Sequence, residues 1–131
     1  MFLDTSGLLC VHNAAEPQHL SAKTHFKRHR NKITTSYVLA ELITLAFVRG
    51  MARGPTLRFV RKLIESRTVS VTWVDKRLHL AAMELLGQRE DKGYSLCDAV
   101  SFLLMKERNI TDALTTDHHF EQEGFQRLLR E

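Results

Sequence analysis

Cysteine, proline and glycine are scarce in this chain of 131 residues, which contains two, two and six of them. The two cysteines, Cys10 and Cys97, are too few for a disulfide framework, and no CxxC motif or Cys/His cluster predicts structural zinc. No apolar run approaches the roughly 20 residues that a membrane span needs. The first residues also lack the basic and apolar regions of a signal peptide. We therefore expect a cytoplasmic protein without a membrane segment.

The composition is that of a protein with a packed core. Hydrophobic residues make up 44% of the chain and charged residues 26%. These fractions are ordinary for globular proteins and exclude wholesale disorder. The length suits one compact domain and leaves little room for a second. We expect residues 1–131 to form a single domain.

The net charge of +4 is unevenly distributed along the chain. Residues 18–67 contain eleven lysines and arginines but only two acids, Glu41 and Glu65, which gives this segment a net charge of +9 and leaves −5 for the rest. A basic segment of this kind attracts phosphate backbones through counterion release. The same side chains serve equally well to solvate exposed helix faces. Charge alone therefore suggests a polyanion partner without establishing one.

Short strands alternate with helices along the chain. The clearest strand is 68–74, which alternates and is rich in β-branched residues. Further strands are predicted at 1–4, 32–35, 112–115 and 125–129, helices at 17–30, 37–51, 55–66, 75–91 and 95–109, and a helical turn at 118–123. Strands separated by helices require crossover connections. The pattern predicts a three-layer α/β/α fold with a mostly parallel central sheet of four or five short strands.

Four carboxylates stand where a solvated acid is not expected. Asp4 and Asp117 follow predicted strands, whereas Glu41 and Asp98 lie within apolar helical segments. A buried carboxylate is costly unless it is paired, hydrogen-bonded or bound to a metal. Because the carboxyl ends of parallel strands meet at one edge of a sheet, we expect the four acids to converge there. Oxygen ligands without histidine or cysteine suit Mg²⁺ or Mn²⁺.

Each acid also has a purely structural interpretation. Either strand-end aspartate would cap the helix that follows it. The motif Ser95-x-x-Asp98 has the spacing of a capping box. Glu41 lies too far into its helix to cap, and would pair instead with a base such as Arg49. The joint order of the four acids favours a common site.

These residues resemble the motifs of the PIN domain family. Asp4-Thr5-Ser6 resembles the opening motif and Ala40-Glu41-Leu42 the second acid. Ser95-Leu96-Cys97-Asp98-Ala99 resembles the Ser-x-x-Asp-Ala motif, and Thr115-Thr116-Asp117-His118-His119-Phe120 the Thr-x-Asp-x-x-Phe motif. No single motif is very specific, but the four occur in the family's order across essentially the whole chain. In its size and its lack of appended domains, the sequence most resembles the VapC-type toxin ribonucleases.

The resemblance implies a metal-dependent endoribonuclease with an RNA substrate. Asp4, Asp98 and Asp117 would hold one or two Mg²⁺ or Mn²⁺ ions, and Glu41 would be a further ligand or a base acting through water. It also implies an antitoxin protein as partner and a homodimer. The doublet His118-His119 stands where many relatives carry a basic residue, which would change phosphate contact rather than metal binding.

Two further sets of residues follow from the resemblance and from the basic segment. Thr115 and Ser6 would orient carboxylates or water through their hydroxyl groups. The basic segment would supply contacts to the RNA phosphates. Its candidate contact residues are Lys27, Arg28, Arg30 and Arg53.

Two other functions remain compatible with the sequence. The chain is alternatively a non-catalytic RNA-binding or protein-interaction module on the same fold, for which the +9 segment is the main support. A phosphatase or receiver-type domain with a nucleophilic aspartate ranks last, since Asp4-Thr5-Ser6 lacks the Asp-x-Asp pair that many such phosphatases use.

Large apolar side chains are expected mostly in the core, Trp73 and Phe102 among them. The apolar faces of helices 37–51 and 55–66 exceed what one small sheet obviously needs. They predict either core packing or an interface with a second copy or an antitoxin segment.

Overall fold

The computed structural model describes residues 1–130 and contains one five-stranded sheet. Its strands are β1 (Phe2–Leu3), β2 (Lys32–Thr35), β3 (Val69–Thr72), β4 (Asp112–Leu114) and β5 (Gln126–Arg127). The strand order is β3-β2-β1-β4-β5, and every neighbouring pair is parallel. The predicted α/β class with a parallel sheet of short strands is confirmed.

Seven helices flank the sheet in residues 1–130. They are α1 (Thr5–His12), α2 (His19–Arg28), α3 (Ser36–Val48), α4 (Arg53–Glu65), α5 (Lys76–Gln88), α6 (Leu96–Glu107) and α7 (His119–Gln122). The sequence predicted all of them within a few residues at each end, except α1. Most of α1 is buried, so it lacks the polar face that makes an amphipathic helix recognisable.

The strand register aligns residues of three strands at the carboxyl edge of the sheet, where β1, β2 and β3 end. Phe2 pairs with Ile33, and Thr35 pairs with Thr72. Asp4 lies two residues beyond Phe2, just as Thr35 lies two residues beyond Ile33. Asp4, Thr35 and Thr72 are therefore level with one another along this edge.

Close packing of α1 on β4 sets the position of the first strand end. A side chain on Gly7 would place its Cβ 1.9 Å from the carbonyl oxygen of Leu114, so only glycine fits there. The central strand β1 is completely buried, with Phe2 and Leu3 inaccessible to solvent. Burying each such side chain contributes about 1.5–3 kcal/mol. A completely buried strand thus positions Asp4, the residue that follows it.

The prediction that Trp73 lies in the core is wrong, because 64% of this residue is exposed. Trp73 follows the end of β3, which is an edge strand with no neighbour on one side. Phe102 is completely buried, as predicted, and its ring packs 4.9 Å from that of Phe120 between centroids. Both cysteines are buried free thiols.

Helices α3 and α4 divide their apolar residues between core and surface. The core receives Leu39, Leu42, Val60 and Leu63, whereas Phe47, Val48, Leu57 and Ile64 stay exposed. Core packing therefore accounts for only part of these faces. None of the helices within residues 1–130 has the length and apolar character to cross a membrane.

Candidate metal centre

Asp4 follows β1 and is only 4% exposed. Its carboxylate makes no capping hydrogen bond to α1. Oδ2 instead accepts hydrogen bonds from Thr115 Oγ1 at 2.7 Å and from Ser6 Oγ at 3.3 Å. The pairing of Leu3 with Leu114 puts Thr115 level with Asp4 across the sheet. The capping interpretation is therefore wrong for Asp4, and the structure brings both hydroxyl residues to its carboxylate.

The two hydroxyl groups are held in place by the backbone. The Thr116 N–H donates to Ser6 Oγ at 3.0 Å, and the Asp117 N–H donates to Thr115 Oγ1 at 2.9 Å. The two oxygens lie 3.0 Å from each other. Each hydroxyl oxygen already accepts a hydrogen bond from a backbone N–H. Its single proton is therefore available for donation to the Asp4 carboxylate. The network fixes the orientation of the Asp4 carboxylate.

Asp98 lies in the first turn of α6, as its third residue, and is 8% exposed. It forms a complete capping box with Ser95, because each side chain accepts the other residue's N–H at 3.0 Å. The capping interpretation is therefore correct for this acid. The same Oδ2 atom also lies 3.3 Å from His119 Nδ1. Capping thus orients this carboxylate without removing it from the cluster.

Asp117 and His119 connect the end of β4 to α6. Asp117 Oδ1 accepts the His119 N–H at 2.9 Å and lies 3.4 Å from His119 Nδ1. It also lies 3.7 Å from Nδ1 of His118. Ligand atoms of these three residues fall within 4.8 Å of one another. The position of His119 between Asp98 and Asp117 was not predicted from the sequence. The only sequence feature that pointed to it was that His119 lies two residues after Asp117.

No lysine or arginine among residues 1–130 comes within 4 Å of the three aspartate carboxylates. Burial raises the pKa of Asp4 to about 7; the charges of Asp98 and Asp117 raise it too, while the Thr115 hydrogen bond opposes them. Burial likewise raises the pKa of Asp98. Such carboxylates need a cation to stay charged together at neutral pH. The oxygen atoms of these three carboxylates fit a hard divalent ion.

Glu41 lies on the exposed side of α3, so the expectation that it is embedded in a buried helix is wrong. Its charge still reaches the cluster, because after burial it is the largest cause that raises the pKa of Cys97, the residue before Asp98. The alternative pairing with Arg49 does not form, since Arg49 pairs with Glu16. Within the described part of the chain, Glu41 makes no ion pair.

Three of the four basic residues predicted to contact RNA lie at the opposite edge of the sheet from this cluster. Arg30 belongs to the loop that leads into β2, and its neighbour Asn31 accepts a hydrogen bond from the amino group of Met1 at 3.2 Å. This loop therefore lies at the amino edge of the sheet, opposite Asp4. Lys27 and Arg28 end α2 next to it, and Arg53 begins α4. The structure does not bring these residues to the carboxylates.

A cleft of about 840 Å³ opens beside Ser6 and Thr116. Arg49, Arg127 and Arg130 line it, and Arg127 donates a hydrogen bond to the Thr116 carbonyl at 3.0 Å. Sequence reasoning missed the last two arginines because they lie outside the basic segment, in the acidic remainder of the chain. They reach the site because β5 pairs with β4.

Comparison with known proteins identifies the family. The PIN domain family matches residues 1–125. The 23S rRNA-specific endonuclease VapC20 from two Mycobacterium tuberculosis strains, CDC 1551/Oshkosh and ATCC 25618/H37Rv, is 32% identical over 126 residues, 95% of each chain. The crystal structure of M. tuberculosis VapC20, described as a sarcin–ricin loop cleaving toxin, superimposes with a TM-score of 0.86 at 29% identity over 95% of both chains. With four motif acids and this fold, the chain belongs to the PIN domain family.

Proposed function

We propose that this chain is a metal-dependent endoribonuclease, the toxin of a toxin–antitoxin pair, and that residues 1–131 make one nuclease domain. The observation that carries the proposal is the convergence of Asp4, Asp98 and Asp117 with no lysine or arginine among residues 1–130 to balance them. The relatives supply the substrate class, since VapC20 is named as a 23S rRNA-specific endonuclease. 23S rRNA is therefore the first substrate to test.

Asp4, Asp98 and Asp117 would hold Mg²⁺ or Mn²⁺, and Glu41 would serve as a further ligand or as a base acting through water. The bound ion would lower the pKa of a coordinated water and neutralise charge on the leaving oxygen. The hydroxyls of Ser6 and Thr115 keep the Asp4 carboxylate in one orientation, as second-layer hydrogen bonds do in other metal sites.

The cleft beside the acids offers a path for the RNA backbone. Arg49, Arg127 and Arg130 present guanidinium groups, which pair well with phosphate oxygens. Each of them contacts Glu16 or Glu121 in the free protein, so RNA would compete with these acids. Lys27, Arg28 and Arg30 would contact only more distant parts of a long RNA, and Arg53 at the start of α4 is a further candidate contact.

The exposed apolar residues of α3 and α4 support protein partners. Phe47, Val48, Leu57 and Ile64 form no part of the core, and clustered exposed apolar side chains mark interaction surfaces. This surface would bind a second copy of the chain in a homodimer, or an antitoxin. A ribosomal RNA substrate would place the activity in the cytoplasm.

Cleavage of a 23S rRNA transcript by the purified protein tests the proposal. We expect discrete products with Mg²⁺ or Mn²⁺ and none with EDTA. Asp98→Asn should reduce the rate at least about 100-fold, because loss of a ligand or of its support removes metal affinity. Asp91→Asn is the matched control, since Asp91 is exposed and pairs only with its neighbour Lys92 at 3.7 Å.

Equal cleavage by wild type and Asp98→Asn would sink the nuclease proposal. A separate set of results would favour the non-catalytic alternative. In that case RNA binding would depend on salt, survive the Asp98→Asn change and occur without any cleavage in Mg²⁺ or Mn²⁺. Calorimetry would then also detect no bound metal.

A further inference from the structure

The single tryptophan of the chain is exposed at the edge of the sheet that carries the acids. Trp73 follows β3 directly and is 64% exposed. Tryptophan is buried on average, so a largely exposed one calls for an explanation in binding. Neither the metal centre nor the core accounts for it.

The register places Trp73 near the acids. Thr72 lies level with Thr35, and Thr35 lies level with Asp4, so two strand spacings separate the two backbones, about 10 Å in all. The Val74 N–H donates to Ser36 Oγ at 2.9 Å, which ties the chain just after Trp73 to the start of α3. The indole is therefore attached to a fixed point on the carboxyl edge.

Two exposed cationic side chains follow this point along the chain. Asp75 caps α5 through the Leu78 N–H at 2.8 Å, and the two residues between them, Lys76 and Arg77, are exposed. Neither forms an ion pair with any residue from 1 to 130. An aromatic face beside unpaired cations is what proteins use to bind single-stranded nucleic acid.

We infer that Trp73 stacks on a nucleobase of the bound RNA, while Lys76 and Arg77 contact the phosphates beside it. The distance of about 10 Å corresponds to about three nucleotides of a stacked strand, at about 3.4 Å of rise each. The stacked base thus lies within a few nucleotides of the phosphate at the acid cluster. This inference rests on the proposed function insofar as RNA is the ligand.

The fluorescence of Trp73 tests the inference directly, because no other tryptophan contributes. Wild-type protein in EDTA is titrated with an RNA hairpin, which stays uncut without metal. We expect quenching on binding and about a tenfold loss of affinity in Trp73→Ala, measured by anisotropy of labelled RNA. Trp73→Phe should retain most of the affinity because it keeps an aromatic face. Met83→Ala, at an apolar residue of α5 that is 52% exposed, should bind as wild type does.

Unquenched fluorescence together with unchanged affinity in Trp73→Ala would overturn the inference. So would unchanged RNA affinity combined with a lost homodimer or lost antitoxin binding, since Trp73 would then belong to a protein interface. Circular dichroism of both variants checks that they fold. If RNA quenches Trp73 but no metal supports cleavage, the stacking site stands and the nuclease proposal fails.

Discussion

Two buried acidic regions of this molecule have opposite surroundings. At the carboxyl edge, burial raises the pKa of Asp4 to about 7, and no lysine or arginine among residues 1–130 offsets it. Glu123, whose side chain is 5% exposed, instead binds Arg89 at 2.9 Å and Lys106 at 2.7 Å. The hydrogen bond from Arg89 is the largest cause that lowers the pKa of Glu123 to about 2.

Protein groups compensate the charge of Glu123, whereas no lysine or arginine among residues 1–130 compensates the charges of the three aspartates. Glu123 also accepts a hydrogen bond from the Tyr94 hydroxyl at 3.2 Å, so protein groups satisfy its charge. The ring of Tyr94 packs edge-on against His119, 5.3 Å between centroids, so the two regions touch. The side chain of Tyr94 thus lies between the ion pairs of Glu123 and His119, which is next to the aspartates. The placement of Arg89 and Lys106 on Glu123 leaves the carboxylates of the candidate metal centre without a lysine or arginine within 4 Å in the described part of the chain.

Asp4→Asn should give the largest effect, a gain in stability without metal. Because the folded-state pKa of Asp4 is raised from 3.8 to about 7, the folded protein binds this proton more tightly, so its stability falls as pH rises through this window. Asparagine removes that loss. We expect up to about 4 kcal/mol more stability at pH 8 in EDTA, and little difference near pH 4.

Urea denaturation at several pH values measures this effect. Asp91→Asn, which changes an exposed acid, should show no such pH-dependent gain. An Asp4→Asn protein that is less stable than wild type at pH 8 in EDTA would mean that protein groups already satisfy Asp4, as they do Glu123.

Binding of Mg²⁺ or Mn²⁺ should stabilise the protein through the aspartate region alone. At a free concentration 100 times the Kd, a bound ion adds about 2.7 kcal/mol to the free energy of unfolding. Thermal unfolding with and without metal should show this rise in Tm for wild type and for Glu123→Gln, and no rise for Asp98→Asn. A metal-dependent rise that persists in Asp98→Asn would place the ion elsewhere.

Glu123→Gln should give the smallest effect, a loss of about 2 kcal/mol near pH 7, typical of hydrogen bonds to charged partners. The folded-state pKa is lowered from 4.5 to about 2, so the stability from Glu123 is present above pH 4.5 and is lost as pH falls towards 2. The difference between variant and wild type should shrink over that range. Glu107→Gln changes an exposed acid and is the control. An equal loss of stability in this variant would mean that the ion pairs of Glu123 contribute no more than an exposed acid does.

Much of the fold could be predicted because its signals are local. Alternating β-branched residues predicted β3, and an aspartate before an amphipathic segment predicted the start of α5. Helix α1 could not be predicted in this way, since burial on most sides removes the periodicity. Trp73 was misplaced because its exposure depends on β3 being an edge strand, which strand order decides.

The candidate site, like the fold, could be predicted from the sequence only in part. The identities of Asp4, Asp98 and Asp117 are unusual in their local contexts, so sequence alone singled them out. His119, Arg127 and Arg130 carried no such signal, because only the pairing of β5 with β4 and the packing of α7 on α6 bring them near. Arg30 had the right charge for RNA, but its loop lies at the opposite edge of the sheet.

The sequence by itself determined the α/β class and the acids, since propensity and the cost of burying a charge act on each residue where it stands. The tertiary structure decided which acids receive a base. Glu123 meets Arg89, which directly follows α5, and Lys106 of α6, whereas Asp4 meets hydroxyl groups and the charges of further acids. Coulomb interactions depend on distance in space, and only the folded chain sets that distance.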